Sequence, residues 1–77
     1  MKFNELDTVV LNKDLPAHGL CRGDLGTVVL LHVPDGLEVE FVTGAGTTQA
    51  VVTLHVDDVR QLVGTDLIAV RPLNKSA

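Results

Sequence analysis

The residues of this chain with the most reactive side chains are three histidines and one cysteine. His18, His32 and His55 are too far apart in the sequence to form a local metal-binding motif, and Cys21 alone cannot complete a thiolate site. Cys21 also lacks a neighbouring base, a group to orient that base and an oxyanion turn. We therefore expect separate surface histidines, a cysteine packed as a small core side chain, no metal or cofactor, and no enzymatic activity.

Two glutamates form a second candidate pair. Glu38 and Glu40 alternate with Leu37, Val39 and Phe41, a pattern typical of an antiparallel strand with one buried and one solvated face. Their carboxylates then lie about 7 Å apart on the same face, between the separations found in retaining and inverting glycosidases. Because so short a chain has no deep sugar cleft, we interpret the pair as part of a solvated strand face.

Two predicted turns contain further polar side chains that could bind a ligand. The spacing of Gly23 and Gly26 is similar to that of a phosphate loop, but no Lys-Ser or Lys-Thr follows, and a strand comes next instead of a helix. We expect both glycines to adopt unusual φ angles, with Asp24 accepting hydrogen bonds from N–H groups inside the turn. Asp57 and Asp58 begin a short helical turn, where carboxylates cap free N–H groups.

The composition restricts the class of partner. The 77 residues are enough for one small domain, and 45% hydrophobic against 21% charged residues favours a folded chain. Ten acidic and six scattered basic residues give a net charge of −4, and there are two Phe but no Trp or Tyr, so we expect no nucleic-acid partner. A single cysteine and the lack of a long apolar run predict a cytoplasmic protein with no membrane partner.

Short apolar segments alternate with turn signals along the chain, which is typical of an all-β fold. Pro and Gly residues interrupt the first connection, residues 12–19, and predict a long loop there. Residues 55–59 fit one turn of 3-10 helix. The predicted strands are residues 8–11, 27–33, 37–42, 47–54 and 60–62.

Strands this short bury their apolar faces best in a small SH3-like antiparallel barrel, which we assign to residues 1–62. Residues 63–77 form a C-terminal extension, in which residues 67–70 predict a sixth strand and residues 74–77 are expected to fray. The sixth strand covers an edge of its own barrel or that of a second chain, and the second arrangement gives a homodimer. The predicted core consists of Val9, Leu11, Val28, Leu30, Leu37, Val39, Phe41, Val52 and Leu54.

Several segments together resemble a known family. From about residue 6 to residue 62 the chain is similar to short bacterial proteins grouped as domain-of-unknown-function family 4926. The resemblance implies an SH3-like fold without an established activity, and a role as companion of another small gene product, of the antitoxin, immunity or complex-accessory type. The segments that show the resemblance are Leu6-Asp7-Thr8-Val9-Val10-Leu11, Asp14-Leu15-Pro16-Ala17-His18-Gly19-Leu20, Arg22-Gly23-Asp24-Leu25-Gly26-Thr27-Val28-Val29 and Val39-Glu40-Phe41-Val42.

These observations predict a non-catalytic protein-interaction module. It would present the acidic strand face and the first loop to another protein of basic character. The alternative is an RNA- or ribosome-associated barrel, because the Gly-Asp-Leu-Gly-Thr-Val element resembles the KOW-type turn of SH3-like barrels; it requires a basic stripe on the folded surface. The predicted partner contacts are Asp14, Leu15, Pro16, His18, Glu38 and Glu40.

Overall fold

The computed structural model of the protein describes residues 1–73. The prediction of an all-β fold with five antiparallel strands and a 3-10 turn is confirmed, and the expected fraying of residues 74–77 lies outside the described residues. None of the helical segments in residues 1–73 is long and apolar enough to cross a membrane. The elements are β1 (Thr8–Leu11), η1 (Pro16–His18), β2 (Leu25–His32), β3 (Gly36–Val42), β4 (Thr48–His55), η2 (Val56–Asp58) and β5 (Val59–Gln61), where η denotes a 3-10 turn.

The five strands form one sheet in the order β4-β3-β2-β1-β5, and every neighbouring pair is antiparallel. β2, β3 and β4 follow one another through hairpins, and η2 then leads the chain back so that β5 pairs with β1. Over residues 1–73 the two edge strands, β4 and β5, do not pair with each other, so the sheet is not closed into a barrel. The assignment to the SH3-like class stays a prediction.

One face of the sheet carries the core, and all the predicted core residues are buried there except Leu30. The prediction for Leu30 is wrong because a β-bulge between Val28 and Leu30 shifts the alternation of β2 by one residue. Leu30 therefore lies opposite Glu38 and is 43% exposed, whereas Leu31 lies opposite Leu37 and packs against the core.

The two glycines of the turn before β2 have different roles. Gly23 has the expected positive φ, +95°, which a residue with a side chain adopts only with strain. Gly26 is not in this conformation, so the prediction for it is wrong. A Cβ atom at Gly26 would lie 2.5 Å from Cγ1 of Val39 and 2.8 Å from Cε1 of Phe41. Gly26 is therefore required for close packing between β2 and the side chains of β3.

Residues 67–70 belong to no strand of the sheet, so the prediction that they cover an edge of their own sheet is wrong. Their pairing with a second chain stays a prediction. Leu67 and Val70 are each 95% exposed, and Ile68 is 63% exposed. Side chains fix the segment at both of its ends, since Asp66 binds Arg60 and Arg71 reaches the turn before β2. The extension is thereby directed across the end of the sheet instead of along one of its edges.

Candidate functional site

The face of β2, β3 and β4 that lies opposite the core is called here the outer face. The strand register places Glu38 between Leu30 on one side and Thr53 on the other. Glu40 lies in the same way between Thr27 of β2 and Val51 of β4. The outer face therefore has a row of two carboxylates on its central strand.

Both carboxylates are held in place by neighbouring side chains. Nε2 of His32 lies 2.7 Å from Oε2 of Glu38, and Oγ1 of Thr48 donates to Oε2 of Glu40 over 2.6 Å. The glutamates lie on the face opposite the core, as predicted from the alternation, and they are half-buried there. Since a carboxylate can accept several hydrogen bonds, these contacts orient the two groups and leave capacity for a cationic ligand.

Exposed apolar side chains flank this acidic row. Val29 and Leu30 on β2 are 38% and 43% exposed, and Val51 on β4 is 51% exposed. The bulge in β2 accounts for two consecutive exposed apolar residues, because one of them is an extra residue in the ladder. A surface with a charged centre and apolar borders can combine steering of a basic ligand with burial of its aliphatic groups.

The first loop is fixed by its own hydrogen bonds, which occupy two of its predicted contact residues. Leu15 and Leu20 exchange two backbone bonds, of 2.9 and 3.1 Å, and Leu15 packs against the core. Oδ1 of Asp14 accepts a hydrogen bond of 2.8 Å from the backbone N–H of Arg22. Asp14 and Leu15 therefore stabilise the loop itself. Each already makes contacts within the chain, so neither is completely free to contact a partner.

Two other predicted contact residues of this loop, Pro16 and His18, are exposed. The carbonyl oxygen of His18 accepts a hydrogen bond of 3.1 Å from Nε2 of Gln49 in β4. The residue before Gln49 is Thr48, which contacts Glu40. Two consecutive residues at the start of β4 therefore contact both regions. Gln49 bonds the first loop, and Thr48 bonds the acidic row.

The turn before β2 contains an ion pair that the sequence did not reveal. Oδ2 of Asp24 accepts the predicted backbone bond from Cys21, at 2.8 Å. Arg71, which is 47 residues further along the chain, donates from Nε to Oδ1 of Asp24 over 2.9 Å and from Nη2 to the carbonyl oxygen of Gly19 over 3.0 Å. Burial raises the pKa of Asp24, but the bonds from Arg71 and Cys21 outweigh it and hold that pKa below its usual value.

The other strong ion pair lies at the beginning of the extension. Arg60 donates two hydrogen bonds of 2.9 Å to the carboxylate of Asp66, which also accepts one of 2.8 Å from the N–H of Val63. These bonds lower the pKa of Asp66 to about 2. Lys13 is 3.6 Å from Asp58. Such pairing reduces the positive charge that an RNA-associated barrel would need on its surface.

Cys21 is exposed, so the prediction that it packs in the core is wrong. It lies in the turn closed by Asp24, and it borders a shallow groove of about 380 Å³ together with Asp14 and Arg71. No base is hydrogen-bonded to its thiol among the contacts of residues 1–73. Cys21 therefore has an accessible thiol at the border of this groove.

The three histidines are exposed. His32 on β2 and His55 on β4 both lie opposite Gly36 of β3, two strand spacings apart, and His18 lies in the first loop. Nδ1 of His55 accepts a hydrogen bond of 3.0 Å from the N–H of Asp57, and Oδ2 of Asp58 accepts one of 3.0 Å from the N–H of His55. Asp58 thus caps as predicted, and His55 is the cap that sequence reasoning missed. Within the described part of the chain, His, Cys, Asp and Glu side chains form no group of three or more that could hold a metal ion.

Comparison with known proteins gives a family but no activity. No curated protein and no solved structure matches the chain. A family model described as "Domain of unknown function (DUF4926)" matches residues 5–61, about three quarters of the sequence. The match includes all five strands and all six predicted partner contacts, and it ends before the extension that carries Arg71. The chain therefore belongs to this family, the domain of unknown function DUF4926.

Proposed function

We propose that this protein is a non-catalytic interaction module that binds a basic segment of another protein on the outer face of β2, β3 and β4. The observation that carries the proposal is the row of Glu38 and Glu40 between exposed apolar residues of the neighbouring strands. The carboxylates steer and orient lysine or arginine side chains, and Leu30 and Val51 pack against the aliphatic parts of those side chains.

The geometry around the two glutamates supports recognition of a basic ligand. Hydrogen bonds from His32 and Thr48 orient the carboxylates before a ligand arrives, which lowers the entropy that binding has to offset. Partial burial weakens the screening of their charge by salt. Pro16 and His18 on the first loop provide a second contact region of this module.

The proposal includes a cytoplasmic location, because Cys21 is an exposed free thiol and is best suited to a reducing compartment. A small module that binds one basic protein fits the companion role of the antitoxin, immunity or complex-accessory type. The partner belongs to the class of proteins with a lysine- or arginine-rich exposed segment.

A titration with a lysine- and leucine-containing peptide, followed by NMR spectra of the labelled protein, tests this function. We expect the largest shifts at the backbone amides of the outer face. The double variant Glu38→Gln/Glu40→Gln should weaken binding on the order of 3- to 10-fold, because each exposed ion pair contributes a fraction of a kcal/mol.

The matched control is Glu5→Gln/Asp57→Asn, which removes the same two charges from exposed positions outside the outer face. This control should leave the affinity within about twofold of the unaltered protein, apart from the long-range effect of net charge. Equal weakening by both double variants would show that the peptide responds to net charge only, and the proposed site would be wrong.

A further inference from the structure

The two edges of the sheet are very different. β5, at one edge, has three residues, and its Arg60 is engaged with Asp66. β4, at the other edge, has eight residues, Thr48–His55, among which there is no Asp, Glu, Lys, Arg or Pro. Charged residues, prolines and short strands are the usual protection of an edge against pairing with another chain. β5 has this protection and β4 does not.

The outer edge of β4 has no backbone partner in the described chain. On one side β4 pairs with β3, with a register shift that leaves Gln49 without a partner on β3. The remaining backbone hydrogen bonds of residues 1–73 involve neither an N–H nor a carbonyl group of residues 48–55. Alternate peptide groups of an edge strand point away from the sheet, so β4 presents a row of donors and acceptors that another strand can satisfy.

We propose that β4 pairs with β4 of a second copy of this chain, antiparallel and centred on Val51, so that two sheets join into one. This pairing places Val51 opposite Val51 of the second copy on the outer side, and Gln49 opposite Thr53. On the core side Ala50 meets Val52 of the second copy. Every one of these cross-strand contacts is apolar or uncharged, and such contacts stabilise paired strands.

The negative charge of the chain does not oppose this contact. The nearest carboxylate of the outer face belongs to Glu40, which lies on β3, one strand away from the edge. In the joined sheet the two copies of Glu40 are three strand spacings apart, about 14 Å. That distance exceeds the Debye length of about 8 Å at physiological ionic strength, so their repulsion is largely screened.

A second copy fits this edge better than the C-terminal extension does. Within the described chain residues 67–70 are an exposed apolar segment that joins no strand, but the segment is held at both ends within its own chain, by Asp66 to Arg60 and by Arg71 to Asp24. Adding it to β4 of a neighbour would break at least one of these ion pairs. β4 pairs with its copy without breaking any contact described for the monomer.

Light scattering over a range of concentrations tests the proposal. The unaltered chain should form a dimer that dissociates on dilution. Val51→Lys alone and Val51→Glu alone should each be monomeric, because the altered side chains face their own copies about 5 Å apart and repel each other. An equimolar mixture of the two variants should restore the dimer, since opposite charges then meet at the same point.

Val42→Lys is the matched control, because Val42 is also 51% exposed but lies on β3, which is paired on both sides. This variant should stay dimeric. The proposal is wrong if the unaltered chain is a monomer at its highest soluble concentration, or if the mixture of charged variants stays monomeric. It is also wrong if removal of residues 63–77 abolishes a dimer that Val51→Lys leaves intact, because the extension is then the element exchanged.

Discussion

The sheet domain and the C-terminal extension are held by different forces. Backbone ladders and a continuous apolar core hold the sheet, and Leu37 is completely buried in that core. The extension adds Leu67 and Val70 at 95% exposure and depends on the ion pairs of Arg60 with Asp66 and of Arg71 with Asp24. We therefore expect the sheet to fold without the extension, and we expect the position of the extension to respond to charge and pH.

The largest effect is expected from removing core volume in the sheet. Leu37→Ala should lower the free energy of unfolding by about 2–5 kcal/mol, because Leu37 is fully buried near the start of β3 and the truncated side chain leaves a cavity. Urea unfolding followed by circular dichroism measures the change. The control Leu67→Ala, in the exposed part of the extension, should change it by less than about 0.5 kcal/mol. Similar losses in both variants would contradict the contrast between the two regions.

A smaller effect is expected from overpacking the sheet at Gly26. Gly26→Ala should cost about 1–3 kcal/mol, because the new Cβ atom overlaps with Val39 and Phe41 and forces them to move. The same unfolding experiment measures this loss. Gly44→Ala is the control, since a Cβ atom there meets nothing within 4 Å. If Gly26→Ala were as stable as Gly44→Ala, the close packing of β2 on β3 would be disproved.

Release of the extension should affect local order more than global stability. Arg71→Ala removes the bonds to Asp24 and to the carbonyl of Gly19, so the NMR order parameters of the backbone amides in residues 67–71 should fall. The melting temperature should change less than in Gly26→Ala. Arg22→Ala, which replaces an exposed arginine outside these ion pairs, is the control. A melting temperature as low as that of Leu37→Ala would mean that the extension is part of the core.

Acid should loosen the extension at very low pH only. Asp24 and Asp66 have a lowered pKa in the folded chain, to about 2 for Asp66, so both are more acidic than in the unfolded chain, where the value is near 3.8. Their contribution is therefore complete above about pH 4 and is lost as the pH falls through the folded values. NMR spectra of residues 63–73 between about pH 6 and pH 2 report this loss. Loosening already at pH 5 would contradict the pairing.

Local sequence patterns predicted the strands well, because alternation and turn residues act over a few positions. They failed at Leu30, since a bulge changes the alternation and depends on how β2 pairs with β3. They also failed for Arg71, because its partner Asp24 is 47 residues away and no local signal links the two. At the candidate site, the shared face of Glu38 and Glu40 was predictable, but their contacts with neighbouring strands were not.

The bulge in β2 also bears on how this chain tolerates changes in its length. Val28 lies opposite Val39 and Leu30 lies opposite Glu38, so Val29 is the extra residue. Deleting Val29 would leave both of these pairs, and every pair beyond them, in register. The deletion would instead remove the additional twist that a bulge gives to its strand. A one-residue change in length at this point therefore alters the curvature of the sheet and leaves the alignment of its strands unchanged.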